Sequence, residues 1–242
     1  MPLSICAGGE RPLARTEAGL ARWWRPEMFT GHFAAAIAAK AAAPQAPLWV
    51  YVGASQFIDV IWAGLIIAGV EKVAIDPTLK GSQLDLSYMP YTHSLPAAIG
   101  WSLLAALIAR RWWSARTAAV VGLVVFSHWL LDLLVHRPDL PLGFTGPRLG
   151  LGLWNFPVAA MAVEIGLLGL ATAMWTAQRV RAGQIAWPAM VFLAFLTALQ
   201  IAATVMPAAA SAAELGRSAL LAFGVVMVVA WVLDRGRLYQ RG

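Results

Sequence analysis

The chain has 242 residues, of which 60% are hydrophobic and only 12% charged, with a formal net charge of +6. A soluble domain carries about a quarter charged residues, and a mean hydropathy of +0.68 points instead to an all-α, polytopic helical membrane bundle. The surplus arginines sit in short clusters beside apolar runs, as topology signals do, so the charge does not imply nucleic acid, and a lone Cys6 excludes an internal disulfide or a multi-cysteine metal site.

Residues 1–27 form an N-terminal tail that lacks the continuous apolar core of a signal peptide. Its part from Leu13 to Trp24 reads as an interfacial helix, and Met28, where membrane-like sequence begins, is an alternative start. About seven apolar runs follow. The first, Phe29–Ala43, is short or re-entrant, and the second is Leu48–Val70. After a polar loop to Pro90 come Tyr91–Ala109 and Thr117–Val135. A Gly/Pro-rich loop, 137–152, leads to Leu153–Ala177, Trp187–Val205 and Leu215–Leu233. Each is near the roughly 20 residues that span a bilayer. Residues 28–155 hold the His/Asp-bearing core, and 156–242 add C-terminal helices to the same bundle.

With alternating spans, Arg110, Arg111 and Arg116, then Arg179 and Arg181, then Arg235, Arg237 and Arg241 fall on one side. That side is the cytoplasm, with the C-terminus in it. Loops 71–90 and 137–152 then face outward, and Glu71, Asp76, Asp85 and Asp139 read as solvated there. The arginines of the tail disagree unless the chain starts at Met28 or the first segment re-enters. Tryptophans near the span ends, such as Trp112, Trp113 and Trp187, read as aromatic belts.

Ionisable side chains inside apolar spans are costly and mark a function or a buried partner. In SHWLLDLLVHRPD, His128, Asp132 and His136 recur every four residues, about 40° past a full turn per step, and form one stripe. His32 opens the first span, Asp59 lies within the second and His93 starts the third. With the N-terminus outside, these residues converge on the outer half of the bundle. Mixed His/Asp ligands suit a divalent ion, zinc first, with manganese or iron as alternatives. His136, a turn beyond Asp132, is a candidate for proton transfer. So is Glu164 in the fifth span, which could instead orient a ligand or pair structurally. Arg148 and Asn155 offer weak anion contacts in the outer loop. The plain structural alternative pairs Asp132 with Arg137 or a histidine to hold helices together.

The order Gly31-His32, Asp59, Thr92-His93-Ser94 and Ser127-His128 with Asp132 resembles a bacterial family of membrane-bound metal-dependent hydrolases, related to the LexA-regulated inner-membrane hydrolase. The likeness spans residues 28–155. It implies His32, Asp59, His93, His128 and Asp132 as metal or catalytic positions, and the inner membrane as location. The family's Pro-Asp-x-Asp-His element is reduced here to Asp59 in SQFIDVIW, which implies one metal rather than two, or a lost activity.

Three functions follow as expectations. One is a metal-dependent hydrolase acting on a lipid or lipid-linked ester at the outer leaflet. The second is a non-catalytic scaffold or accessory subunit with a structural His/Asp cluster. The third is a metal-ion or proton transporter, which requires polar groups continuing inward from Asp59.

Overall fold

Apolar runs punctuated by Pro, Gly and Ser build a mostly helical chain in the computed structural model, which describes residues 30–235. The expectations for the N-terminal tail lie outside the described residues. Helix α1 is Phe33–Ala42, α2 Leu48–Ser55 and α3 Phe57–Ile67. A short hairpin, β1 Lys72–Ile75 with β2 Leu84–Tyr88, precedes the single turn α4, Pro90–His93, and helix α5, Leu95–Ala109. Helix α6 is Ala115–Val135, followed by the small pair β3 Leu140–Pro141 and β4 Arg148–Leu149. Helices α7 Pro157–Arg181, α8 Trp187–Val205 and α9 Ala212–Asp234 complete the described chain.

Helices α6, α7, α8 and α9 are long and apolar enough to cross a bilayer, as in a multi-pass membrane protein. The pair α2 and α3 adds a fifth crossing if taken as one span with a 49° bend. Helix α1 has 10 residues and α5 has 15. At 1.5 Å per residue they reach about 15 and 22 Å, short of a hydrocarbon core of about 30 Å. Seven apolar runs thus become four or five crossings and two shorter helices.

The interruptions have local causes. The third run breaks at Ser94, whose extended backbone caps α5 by accepting from the Ala97 amide, with Pro96 in the first turn. The second run breaks at Gln56, where φ −108° and ψ 7° leave the helical region. This break takes the Ser55 carbonyl out of the regular helical ladder, and the site uses it. Helix α1 packs between α7, α2 and α6, α5 forms a hairpin with α6, and α9 lies across α2 and α3. At the end away from the site, the buried Lys40 ammonium donates to Asp234 at 2.7 Å and to the Ala46 carbonyl at 2.8 Å. Asp234 also accepts from the Leu48 amide, so one carboxylate ties α1, α2 and α9 together.

The loops 71–90 and 137–152 are knitted together at one end of the bundle. Arg137 donates to the carbonyls of Lys80 and Ser82 and to Asn155 Oδ1. Arg148 donates to the carbonyls of Leu86 and Ser87. Both Arg148 and Asn155, expected as anion contacts, are thereby occupied in holding the loops. Gly81 lies at φ +68°, and a Cβ there would stand 2.0 Å from the Trp154 carbonyl oxygen, so only glycine permits this approach of hairpin and loop.

Candidate metal centre

Four elements deliver the six polar residues to one place. The turn into α1 brings His32, α3 brings Asp59 in its first turn, α4 ends on His93, and α6 contributes His128, Asp132 and, at its C-cap, His136. All four histidines and Asp132 are buried, while the Asp59 side chain keeps 23% of its surface. A cavity of about 70 Å³ is lined by His32, Asp59, His93, Asp132 and His136, and by Trp62, Leu84, Leu86, Met89 and Trp154. Since a water needs about 10–15 Å³, there is room for one beside the cluster.

Hydrogen bonds fix the ring orientations. His128 Nδ1 lies 2.8 Å from the Ser55 carbonyl, which can only accept, so Nδ1 carries the proton. His136 Nδ1 is 2.8 Å from the Asp139 carboxylate and donates to it. The Thr92 hydroxyl donates its single proton to Glu71 at 2.6 Å and therefore accepts from His93 Nδ1 at 2.8 Å. In each of these rings Nε2 is the nitrogen directed at carboxylate oxygens. Outer hydrogen bonds of this kind fix the tautomer and orientation of metal-ligating imidazoles. His32 stacks on His128 with ring centroids 4.1 Å apart, and the Trp129 indole donates to the His93 carbonyl at 2.9 Å.

The carboxylates divide the histidines into two sets. Asp59 Oδ1 is 3.2 Å from His93 Nε2 and 3.4 Å from His128 Nε2. Asp132 Oδ2 is 3.6 and 3.3 Å from the same two nitrogens. Two ligands on a tetrahedral zinc, each at about 2.1 Å, stand about 3.4 Å apart, and these four His–Asp separations are of that size. Asp132 Oδ2 is buried and accepts no hydrogen bond from any described residue. A buried carboxylate oxygen without a hydrogen bond, facing two imidazole nitrogens, calls for a cation or protons between them. On its other side, Asp132 Oδ1 lies 3.1 Å from His32 Nε2 and 3.5 Å from His136 Nε2. Ligand atoms of Asp59, His93 and His128, and equally of His32, His128 and Asp132, fall within 4.8 Å of one another.

Glu164 stands elsewhere. It is buried in α7, and its Oε2 accepts from the amides of Thr30 and Gly31 and from the Thr30 hydroxyl at 3.0–3.1 Å. It is absent from the cavity lining and instead holds the chain as it enters α1, which sets His32. Asp132 meets histidines and not Arg137, whose guanidinium is engaged by the loops.

Two acids expected in solvent belong to the site's support. Glu71 is buried and accepts from the amides of Tyr91 and Thr92 as well as the Thr92 hydroxyl, anchoring the turn that carries His93. Asp139 holds His136. The spacing of Asp139 three residues after His136, just past a helix end, was the available signal; for Glu71 and the Ser55 carbonyl there was none in the order of residues. Compared with known proteins, the chain matches no family model, no curated protein and no solved structure.

Proposed function

We propose that this chain is a metal-dependent hydrolase of a bacterial inner membrane, acting on a lipid or lipid-linked ester at the outer leaflet. The observation that carries the reading is the buried Asp132 Oδ2, which accepts no hydrogen bond from a described residue and faces His93 and His128, whose Nδ1 protons are already committed. Asp59, His93, His128 and Asp132 would hold one divalent ion, zinc first and manganese or iron as alternatives. The resemblance to membrane-bound metal-dependent hydrolases names these four positions and His32. Counting α1 and α5 as partial crossings gives seven membrane segments, with the Arg110–Arg116 turn, Arg179, Arg181 and the C-terminus in the cytoplasm.

A bound ion supplies Lewis acidity toward an ester or phosphoryl oxygen and toward water. The chain's own residues supply the rest. His136 presents a basic Nε2 to the cavity, and Asp139 behind it stabilises the imidazolium formed when it takes a proton. His32, on the same Asp132 oxygen as His136, orients that carboxylate. Leu84, Leu86, Met89 and Trp154 wall the cavity against bulk water. Groups lining the adjoining part of α6 toward the arginine-rich end, Val121, Gly122, Val124 and Val125, are apolar, which favours a site of chemistry over an ion path.

Purified protein is expected to release product from a panel of phospholipid and polyprenyl-phosphate esters, to lose that activity on chelation and to regain it with Zn²⁺ or Mn²⁺. Hydrolysis that persists after the metal is stripped would contradict the reading; a folded protein that neither hydrolyses nor retains an ion would favour the scaffold. For topology, single-cysteine variants lacking Cys6 separate the two sides. Pro77→Cys, in the exposed outer loop, should react with an impermeant maleimide on intact spheroplasts, and Ala182→Cys should not. The reverse pattern inverts the orientation.

A further inference from the structure

We infer that the arginine-rich end of the bundle carries a binding site for one phospholipid with an anionic headgroup, separate from the His/Asp cavity. A groove of about 510 Å³ runs between α2 and the α5–α6 hairpin, lined only by apolar side chains that include Trp49, Phe57, Ala105, Ile108, Trp112 and Met227. Its floor is built from small residues. Gly53 is one of them, where an added Cβ would meet the Met227 methyl at 3.2 Å. One end lies at the first turn of α2 and the last turn of α5, at the helix ends that the tryptophans mark as an interface. The other reaches Phe57, past the α2–α3 bend.

The charge around the interfacial end selects the occupant. Arg110, Arg111 and Arg116 are exposed on the turn that supplies Trp112 and Trp113. Arg110 donates to the carbonyl of Trp113, itself a groove residue. No acidic residue occurs between Asp85 and Asp132, and neither Arg111 nor Arg116 is paired with a carboxylate among the described residues. An acyl chain fills the groove, and a phosphate with a net negative headgroup meets the arginines, each worth a several-fold gain near a membrane surface. A zwitterionic headgroup brings its own cation to the same place and gains less.

Native mass spectrometry of the detergent-solubilised full chain can test this with phosphatidylglycerol and phosphatidylcholine of identical acyl chains. One phosphatidylglycerol should remain bound, with at least about tenfold tighter binding than phosphatidylcholine. The exposed triple variant Arg110→Ala/Arg111→Ala/Arg116→Ala should lose the preference while still binding either lipid weakly. Ala105→Phe, which fills the groove, should weaken both. Equal affinity for the two lipids in the wild type, a preference that survives the triple variant, or a lipid-free dimer that closes the groove with a second copy each overturns the proposal. The arginine variant alone decides the headgroup if Ala105→Phe fails to fold.

Discussion

Asp132→Ala protein is expected to fold, to lose bound metal by at least tenfold relative to wild type, and to show no hydrolysis above background. Among the described residues, Asp132 is the one carboxylate within 3.6 Å of all four imidazoles, through Oδ2 toward His93 and His128 and through Oδ1 toward His32 and His136. Its removal takes away one proposed ligand and the charge that balances the remaining imidazoles and the ion. His128→Ala should act alike, because its Nε2 faces both carboxylates. His136→Ala should keep most of the metal yet lower turnover by about 10²–10⁴, the usual contribution of a positioned acid–base group. Glu71→Gln should lie between, with metal affinity lowered about 10–100-fold through the Thr92–His93 chain, as for other outer hydrogen bonds at metal sites. Metal content by mass spectrometry and turnover on the same preparations check the order. If His136→Ala strips the metal while Asp132→Ala retains it, the ligand assignment along α6 is wrong.

The largest loss of stability is expected from Asp234→Ala, at the other end of the bundle. Lys40 is fully buried and Asp234 nearly so, with Nζ and Oδ2 2.7 Å apart. Removing one partner of a buried ion pair strands the other charge in a low dielectric and costs about 3–5 kcal/mol. The Leu48 amide at the start of α2 loses its acceptor as well. The double variant Lys40→Met/Asp234→Leu removes both charges and should recover much of the loss, because apolar replacement of a buried pair is often near neutral. Thermal melts in detergent compare the three. An Asp234→Ala protein that melts like wild type would show that the pair is not buried from water. In the folded fraction metal content should be unchanged, since the lock lies at the far end from His32 and Asp59.

Much of the site could be read along the chain because ionisable groups inside apolar runs are few and expensive. His128 and Asp132 share a helical face by spacing alone, and His32, Asp59 and His93 each stood out against apolar neighbours. Their support was not legible in the same way. Glu71 looks like a loop acid until the β1–β2 hairpin folds it under the turn at Tyr91, and the Ser55 carbonyl becomes available only because the helix breaks at Gln56. Glu164 was recognised as a buried acid, but which residue it serves depends on the packing of α7 against α1. The span count suffered for a related reason. Apolar length was visible, yet Ser94 with Pro96 and the bend at Gln56 divide runs that composition alone reads as continuous.

The groove at the arginine-rich end and the His/Asp cavity stand on different observations. Lipid selectivity at Arg110, Arg111 and Arg116 can fail while the metal centre stands, and the converse also holds.

Metal analysis of the wild-type chain, purified without chelator and then dialysed against metal-free buffer, bears most directly on the central claim. A His/Asp metal centre predicts about one divalent ion per chain, retained through dialysis and lost in Asp132→Ala. Wild type and Asp132→Ala that both hold only trace metal, even after loading with Zn²⁺, would contradict it and leave the cluster as a proton-bridged structural core.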